Sequence, residues 1–327
     1  MSGKLSPAVL ELDLEAEATR IAGVLRDAVG KLHRRGLVLG LSGGIDSSTS
    51  GALAARALGP DKVFGILMPD RDSSAASLEL GRAVAETCGI EVIVEDITPT
   101  LEAIGCYKWR DAAIREVFPE YGFGWKNKIV ISGGIDGGFN FFKLVVADPS
   151  GNAQEKRLPL KQYLQIVAAM NFKQRVRKTL EYFHADRLNR AVIGTPNRLE
   201  YDQGFFVKNG DGSADVKPIA HLYKTQVYAM ARHLGLPDKV CAARPTTDTY
   251  SLPQGQDEFY FALPYEKMDL ALWAKNHGVA AAELAAAIGL SEAQASWVYK
   301  DIDAKRAGTW PLHARPILMS PVTEVHG

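Results

Sequence analysis

Cysteine is scarce in this chain and never paired along it. Cys88, Cys106 and Cys241 are the only three, an odd number with no CxxC and no histidine at metal spacing. A disulfide framework and a zinc site are therefore not expected, and the pattern suits a reducing cytoplasm. Excess charge of either sign is also missing, because 38 Lys and Arg balance 38 Asp and Glu. Binding duplex nucleic acid or an anionic membrane through the overall field needs a basic excess, so neither partner is expected. A local anion site is still allowed. Long apolar runs are absent too: Val279 to Leu290 is the most apolar stretch and Glu283 interrupts it, well short of the ~18 residues that a membrane helix requires. The first twenty residues are too acidic for a signal or transit peptide, and no fixed-period repeat is visible. What remains is 327 residues, 46% apolar and 23% charged, a globular composition with length for two domains or one large α/β unit.

Hydrophobic periodicity organises this chain. Leu14, Ala18, Ile21, Leu25, Val29 and Leu32 share one helix face, within an N-terminal helical segment over 6–35. Leu37 to Leu41 is a short apolar run, and Ser47 to Leu58 reads as a helix stopped by Gly59 and Pro60. Val63 to Met68 is the next strand, Ser74 to Cys88 the next helix with Gly89 at its end, and Ile90 to Ile97 the third strand. Strand and helix alternating at this spacing predict right-handed parallel crossovers and a doubly wound α/β sheet flanked by helices. Between about 106 and 160 the regularity breaks, with apolar runs Lys128 to Ile131 and Phe139 to Ala147 among glycine clusters, which predicts an inserted β-hairpin flap. A long helix over Leu160 to His184 then leads to a buried strand, Arg190 to Gly194. His221 to Leu234 is a further helix, and Ala-rich helices fill a C-terminal region from about 264. The whole reads as a single domain over 1–327.

The chemistry concentrates at Gly40-Leu41-Ser42-Gly43-Gly44-Ile45-Asp46-Ser47, between the first strand and a helix. Glycines let backbone approach an anion, while free N–H groups and serine hydroxyls at a helix start donate to it, so the segment reads as a phosphate cradle. No Lys follows the glycines, which excludes a Walker A loop, and the spacing is not that of a dinucleotide fingerprint. Gly40 to Gly44 also satisfies GxSxG, so a hydrolase nucleophile elbow with Ser42 attacking stands as a rival, opposed by Asp46 close to any developing oxyanion. Ser132 to Asp136 repeats five of the letters, but Gly137 and Gly138 follow where a helix would have to start, so that copy reads as a hairpin turn.

The SGGIDSS segment after a strand resembles the loop of the N-type ATP pyrophosphatases, with their adenine nucleotide alpha-hydrolase-like fold. A second block selects within that superfamily. Gly194-Thr195-Pro196-Asn197-Arg198-Leu199-Glu200, then Gly204 to Asp215, then Leu222-Tyr223-Lys224-Thr225-Gln226, is similar to the ammonia-dependent NAD synthetases, as are Arg175 upstream and Pro245 to Asp248 downstream. The resemblance covers about 15–105 and 165–315. It implies ATP as co-substrate on Gly40, Leu41, Ser42, Gly43, Gly44, Ile45, Asp46, Ser47 and Thr195, with Lys224 and Thr246 on its phosphates. It implies Mg²⁺ held by Asp46 and Glu200. Deamido-NAD would meet Arg175, Lys208, Asp215 and His313, with Asp215 near the reacting carboxyl group and the entering ammonia. The catalytic set would be Asp46, Lys224, Asp215 and Thr246. Ala314 stands where the family carries Lys after the histidine.

The implied reaction is an AMP-forming amidation through an acyl-adenylate. The resemblance further implies a homodimer. No glutaminase domain is expected before Leu37, so nitrogen would enter as free ammonia or from a separate glutaminase. Rivals are the same chemistry on nicotinate mononucleotide or another carboxylate, the serine hydrolase, and a non-catalytic nucleotide-binding protein. Bland readings also stand: Asp211 and Asp215 as turn residues, Arg175 on a solvated helix face, Glu200 as a helix cap and Lys224 as a surface residue.

Overall fold

The computed structural model describes residues 5–135, 138–243, 250–255, 259–261 and 263–324. Helix α1 (Leu14–Lys31) starts where the Asp13 side chain accepts the Ala16 N–H. Strand β1 (Leu37–Gly40), helix α2 (Ile45–Leu58), strand β2 (Val63–Leu67), helix α3 (Ala75–Cys88) and strand β3 (Glu91–Val94) follow in the predicted alternation. Two short helices, α4 (Thr98–Ala103) and α5 (Cys106–Arg115), precede strands β4 (Lys126–Gly134), β5 (Gly138–Ala147) and β6 (Ala153–Arg157). The long helix α6 (Leu160–Leu188) leads to strand β7 (Ala191–Val192).

The parallel sheet runs β3-β2-β1-β7. Alternate residues of β1 and β2 feed two cores, as a sheet covered on both faces requires. Leu37, Leu39, Val63 and Leu67 pack towards α1 and α2, whereas Val38, Phe64 and Ile66 pack with Leu101, Tyr107 and Ala185 of α4 to α6. After β1 the chain winds outward through β2 and β3, then returns to β7 on the other side of β1. The strand order therefore reverses beside β1, and in open α/β sheets the crevice beyond the carboxyl ends at such a point is where ligands bind.

Three expectations need adjusting. The third strand is shorter than Ile90 to Ile97 because it is the sheet edge, though Glu95 and Ile97 still donate to Leu67 O and Pro69 O. The region from 106 opens with helix α5 rather than irregular chain, its buried Tyr107, Ala113 and Ile114 facing inward. The flap holds the expected antiparallel pair, β4 and β5, and a third strand besides, because the wholly exposed β6 pairs with β5. Beyond β7 come α7 (Arg198–Gln203), α8 (Lys224–His233) and α9 (Asp238–Cys241). The C-terminal region holds α10 (Tyr265–Asn276), α11 (Ala281–Ile288) and α12 (Glu292–His313), packed around Met268, Leu272, Leu284 and Val298.

Candidate active site

The loop after β1 is shaped by close packing on α3. Gly43 has φ +77°, and a Cβ there would lie 2.6 Å from both Leu80 Cβ and Ser77 O. Glycine is required twice over, for conformation and for space. Helix α2 begins at Ile45, earlier than expected, so Asp46 sits in its first turn, where the helix dipole favours a carboxylate. Ser47 Oγ donates to Gly44 O at 3.1 Å and accepts the Ser42 N–H at 3.2 Å. Ser42 Oγ lies 3.0 Å from Ser47 Oγ. The partner of Ser42 is thus another hydroxyl, and among the described residues no histidine lines either cavity described below. A nucleophile elbow would lack its base.

Across the crevice, Asn197 ties the site together. It is buried and serves as N-cap of α7, its Oδ1 accepting the Leu199 and Glu200 N–H groups at 3.0 and 3.2 Å. Glu200 Oε2 accepts the Asn197 N–H at 3.1 Å, closing a capping box. The remaining Asn197 donor, Nδ2, reaches Asp46 Oδ1 at 3.0 Å. Asp46 Oδ2 pairs with Lys224 Nζ. Lys224 is the first residue of α8 and only 1% exposed. Burial alone would lower its pKa, but Asp46 and Glu200 outweigh that and hold the ammonium above the ordinary lysine range. The start of α8 is fixed by fully buried Asp269 of α10, whose two oxygens accept the Lys224 and Thr225 N–H groups at 3.1 and 2.7 Å.

Two adjoining cavities meet at this array. The smaller, about 270 Å³, is lined by the loop Gly40–Ser47 together with Met68, Arg177, Lys178, Glu181 and Lys224. Lys178 Nζ and Glu181 Oε2 form a buried pair at 2.6 Å, and burial raises the Glu181 pKa against the pull of Lys178. Arg177 is held by Asp70 at 2.9 Å. The larger cavity, about 600 Å³, is lined on one side by Arg175, Glu200, Phe206 and Lys208. Asp46, Thr195 and Asp211 line both cavities.

The structure therefore gathers Gly40 to Ser47, Thr195, Glu200, Lys224, Arg175 and Lys208 around one crevice. Glu200 caps α7 and still lines the larger cavity, so both readings of that residue hold. Arg175 Nε donates to Lys208 O at 3.3 Å, and Lys208 Nζ donates to Pro311 O at 2.7 Å, tying the C-terminal helix to the rim. Two expected residues are not brought in. Asp215 is exposed and lines neither cavity; its Oδ2 accepts the Val192 N–H at 2.7 Å, which finishes β7. Asp211, four residues earlier, lines both cavities as Asp46 does, and burial raises its pKa. His313 lines neither cavity. Its ring stands edge-on to Tyr201 and Phe206 at 4.9 and 5.1 Å, and burial, then Lys217, lower its pKa. Thr246 lies outside the described residues.

Sequence reasoning missed Asn197 and Asp269 as parts of the site. Asn197 carried a legible signal, an Asn three residues before a Glu at a helix start. Asp269 carried none, because its partners are 44 and 45 residues away.

The sequence model of the family described as NAD synthase matches residues 17–120 and 143–306. An NH(3)-dependent NAD(+) synthetase of Rhizobium meliloti (strain 1021) is 60% identical over 317 residues, covering 97% of this chain and 95% of that protein. Among solved structures, an NAD+ synthetase from Burkholderia pseudomallei superposes with a TM-score of 0.57 at 26% identity, covering 93% of this chain and 92% of that one. An NMN synthetase from Francisella tularensis shares the fold, with a TM-score of 0.65 at 20% identity, covering 95% of this chain and 100% of that one. No helix among the described residues is long and apolar enough to cross a membrane.

Proposed function

The chain belongs to the NAD synthase family, in which a 60% identical relative is an NH(3)-dependent NAD(+) synthetase, and on that premise we propose that it amidates deamido-NAD through an acyl-adenylate, releasing NAD, AMP and pyrophosphate. One observation carries this reading. A serine- and glycine-rich anion loop and the Lys224–Asp46–Asn197–Glu200 array sit at the switch point, beside a 600 Å³ cavity whose rim presents Arg175 and Lys208.

The chemistry follows from the acid. Ammonia cannot displace oxide from a carboxylate at neutral pH, so one carboxylate oxygen must first become part of a leaving group. It attacks the α-phosphorus of ATP, pyrophosphate departs, and ammonia then attacks the acyl carbon to expel AMP. The smaller cavity takes ATP, with the free N–H groups and hydroxyls of Gly40 to Ser47 donating to phosphate oxygens. Lys224, kept charged by Asp46 and Glu200, stabilises charge building on the departing pyrophosphate. The larger cavity takes the dinucleotide acid, its anionic groups on Arg175 and Lys208. Asp211, which faces both cavities with a raised pKa, is placed to accept a proton from the incoming ammonium, the role that the family resemblance gives to Asp215. Most of the rate enhancement comes from holding acid, nucleotide and ammonia together.

The donor set fits Mg²⁺. Two hard carboxylates, Asp46 and Glu200, are bridged by Asn197, and among the described residues no third acidic, His or Cys side chain joins a cage. That is how Mg²⁺ is commonly held, by one or two carboxylates with the substrate's phosphates completing the shell. Bound there, it would neutralise phosphate charge and polarise the α-phosphorus. Ammonia enters free, from solution or from a separate glutaminase, and a homodimer is the assembly the family resemblance implies.

The test is AMP formation with ATP, Mg²⁺ and ammonium, run in parallel on deamido-NAD, nicotinate mononucleotide and a panel of other acids. The proposal expects NAD, AMP and pyrophosphate in equal amounts and the highest kcat/KM for deamido-NAD. A higher kcat/KM for another acid, or products ADP and phosphate, would overturn it.

A further inference from the structure

The family's sequence model passes over residues 121–142, and that segment contains β4 and the start of β5. These strands form a wall of the larger cavity. Ile131 and Phe142 are directly paired across the two strands and both line it. They continue one apolar face. Ile129, Leu144 and Val146 on that face are completely buried against Phe118, Ile166 and Met170. Two residues further along each strand the same face reaches the edge of this core, where Ile131 and Phe142 are only partly buried and line the cavity, Phe142 still packing on the core. The Phe142 ring lies parallel to Tyr163 of α6 at 4.0 Å and 13°, and Tyr163 lines the cavity too. The wall is fixed from outside: Leu252 N donates to Asn127 O at 3.1 Å, Asn127 N donates to Ser251 Oγ at 2.9 Å, and the Gln254 amide bonds Ile129 O.

An apolar strand face that shares its cavity with two cations suits an aromatic ring that carries anionic groups. We propose that the inserted strand pair is a specificity element of this enzyme, with Ile131 and the stacked Phe142–Tyr163 pair forming the subsite for the aromatic ring of the acid substrate. This rests on the reading of the larger cavity as the acid site. Phe142 and Tyr163 bring aromatic surface to the cavity, Ile131 extends it across the strand pair, and Arg175 and Lys208 in the same lining set the ring's orientation through the anionic end. ATP, in the smaller cavity, meets none of the insert residues. The insert thus acts on one substrate and not on the other.

The experiment uses the full chain with Phe142→Ala, Phe142→Tyr and Ile131→Ser, measuring initial AMP formation with acid and ATP varied separately, and thermal unfolding of each variant. Phe142→Ala and Ile131→Ser are expected to raise KM for the acid by about tenfold, with KM for ATP within about twofold of wild type. Phe142→Tyr, which keeps the ring, is expected to restore the acid KM. Should Phe142→Ala fail to fold, Ile131→Ser against Phe142→Tyr decides. Unchanged acid KM with lowered stability, or equal rises in both KM values, would overturn the proposal, since the insert would then be packing alone. Wild type run on the acid panel separates this from the functional reading: if another acid is preferred, deamido-NAD fails as substrate while the wall is judged on the KM of the preferred acid.

Discussion

Asn197 is the most informative single position, because its side chain does two separable things. Its Oδ1 caps α7 and its Nδ2 holds Asp46. Asn197→Ser keeps an effective cap and removes the donor to Asp46. A hydrogen bond to a charged acceptor is worth about 1.5–3 kcal/mol. Asp46 keeps some solvent access, 17% for its side chain, so the lower half of that range applies. Asn197→Ala loses the cap as well, and because the freed Leu199 N–H is buried the upper end of the cap range applies, adding about 2 kcal/mol. Expected destabilisation is therefore about 1.5 kcal/mol for Ser and about 3.5 kcal/mol for Ala. Activity should divide differently. With Asp46 held only by Lys224, both variants lose kcat/KM for ATP to a similar degree, on the order of tenfold. Urea unfolding midpoints and AMP formation at saturating acid measure the two effects. Equal stability of the two variants, or unaltered kcat/KM for ATP in Asn197→Ser, would refute the hub role.

Further outcomes follow from other contacts. Lys224→Met should lower kcat for AMP formation by about 10²–10³ while the protein stays folded, and pyrophosphate release at the wild-type rate would remove Lys224 from the chemistry. Gly43→Ala meets a positive φ and a backbone oxygen 2.6 Å from the new Cβ. It should cost about 2 kcal/mol or more with loss of ATP binding by calorimetry, and normal ATP affinity would contradict the packing argument. Burial raises the Asp269 pKa from 3.8 to about 6. The associated stability is fully present below about pH 4 and is lost as pH rises through about 6, a change of about 3 kcal/mol. Asp269→Asn should flatten that part of the urea stability profile, and an unchanged slope between pH 4 and 7 would refute it.

The parallel sheet and the glycine-rich loop after β1 were legible because their signals are local. Apolar runs of four or five residues, glycines at Gly59 and Gly89, and a serine-rich helix start report their own backbone state. The insert's third strand was not, since Ala153 to Arg157 is wholly exposed and has no apolar alternation to betray pairing. Helix α6 hid its inward face because it buries Lys173, Lys178 and Glu181 in ion pairs and His184 in a hydrogen bond with Glu95. Periodicity in hydrophobicity cannot register a face built from ion pairs.

The site divides in the same way. Residues on the loop and on the strand-to-helix turn, from Gly40 to Ser47 and from Thr195 to Glu200, stand out by local motifs, and the fold brings them to one crevice. Between Asp211 and Asp215 spacing alone could not choose. One carboxylate turns inward to Val207 N and the cavities, while the other turns back to Val192 N. The sequence-separated supports, Asp269 behind Lys224 and the 251–254 segment behind β4, depend on tertiary contacts with no local signature.

The central claim, that this crevice turns a carboxylate into an acyl-adenylate, is tested most directly with deamido-NAD labelled with ¹⁸O in both carboxylate oxygens. Attack on the α-phosphorus and later expulsion of AMP must carry one labelled oxygen into AMP and leave the other in the amide. The account predicts AMP with one ¹⁸O per NAD formed and unlabelled pyrophosphate. Label in pyrophosphate or inorganic phosphate, or AMP free of label, would contradict it.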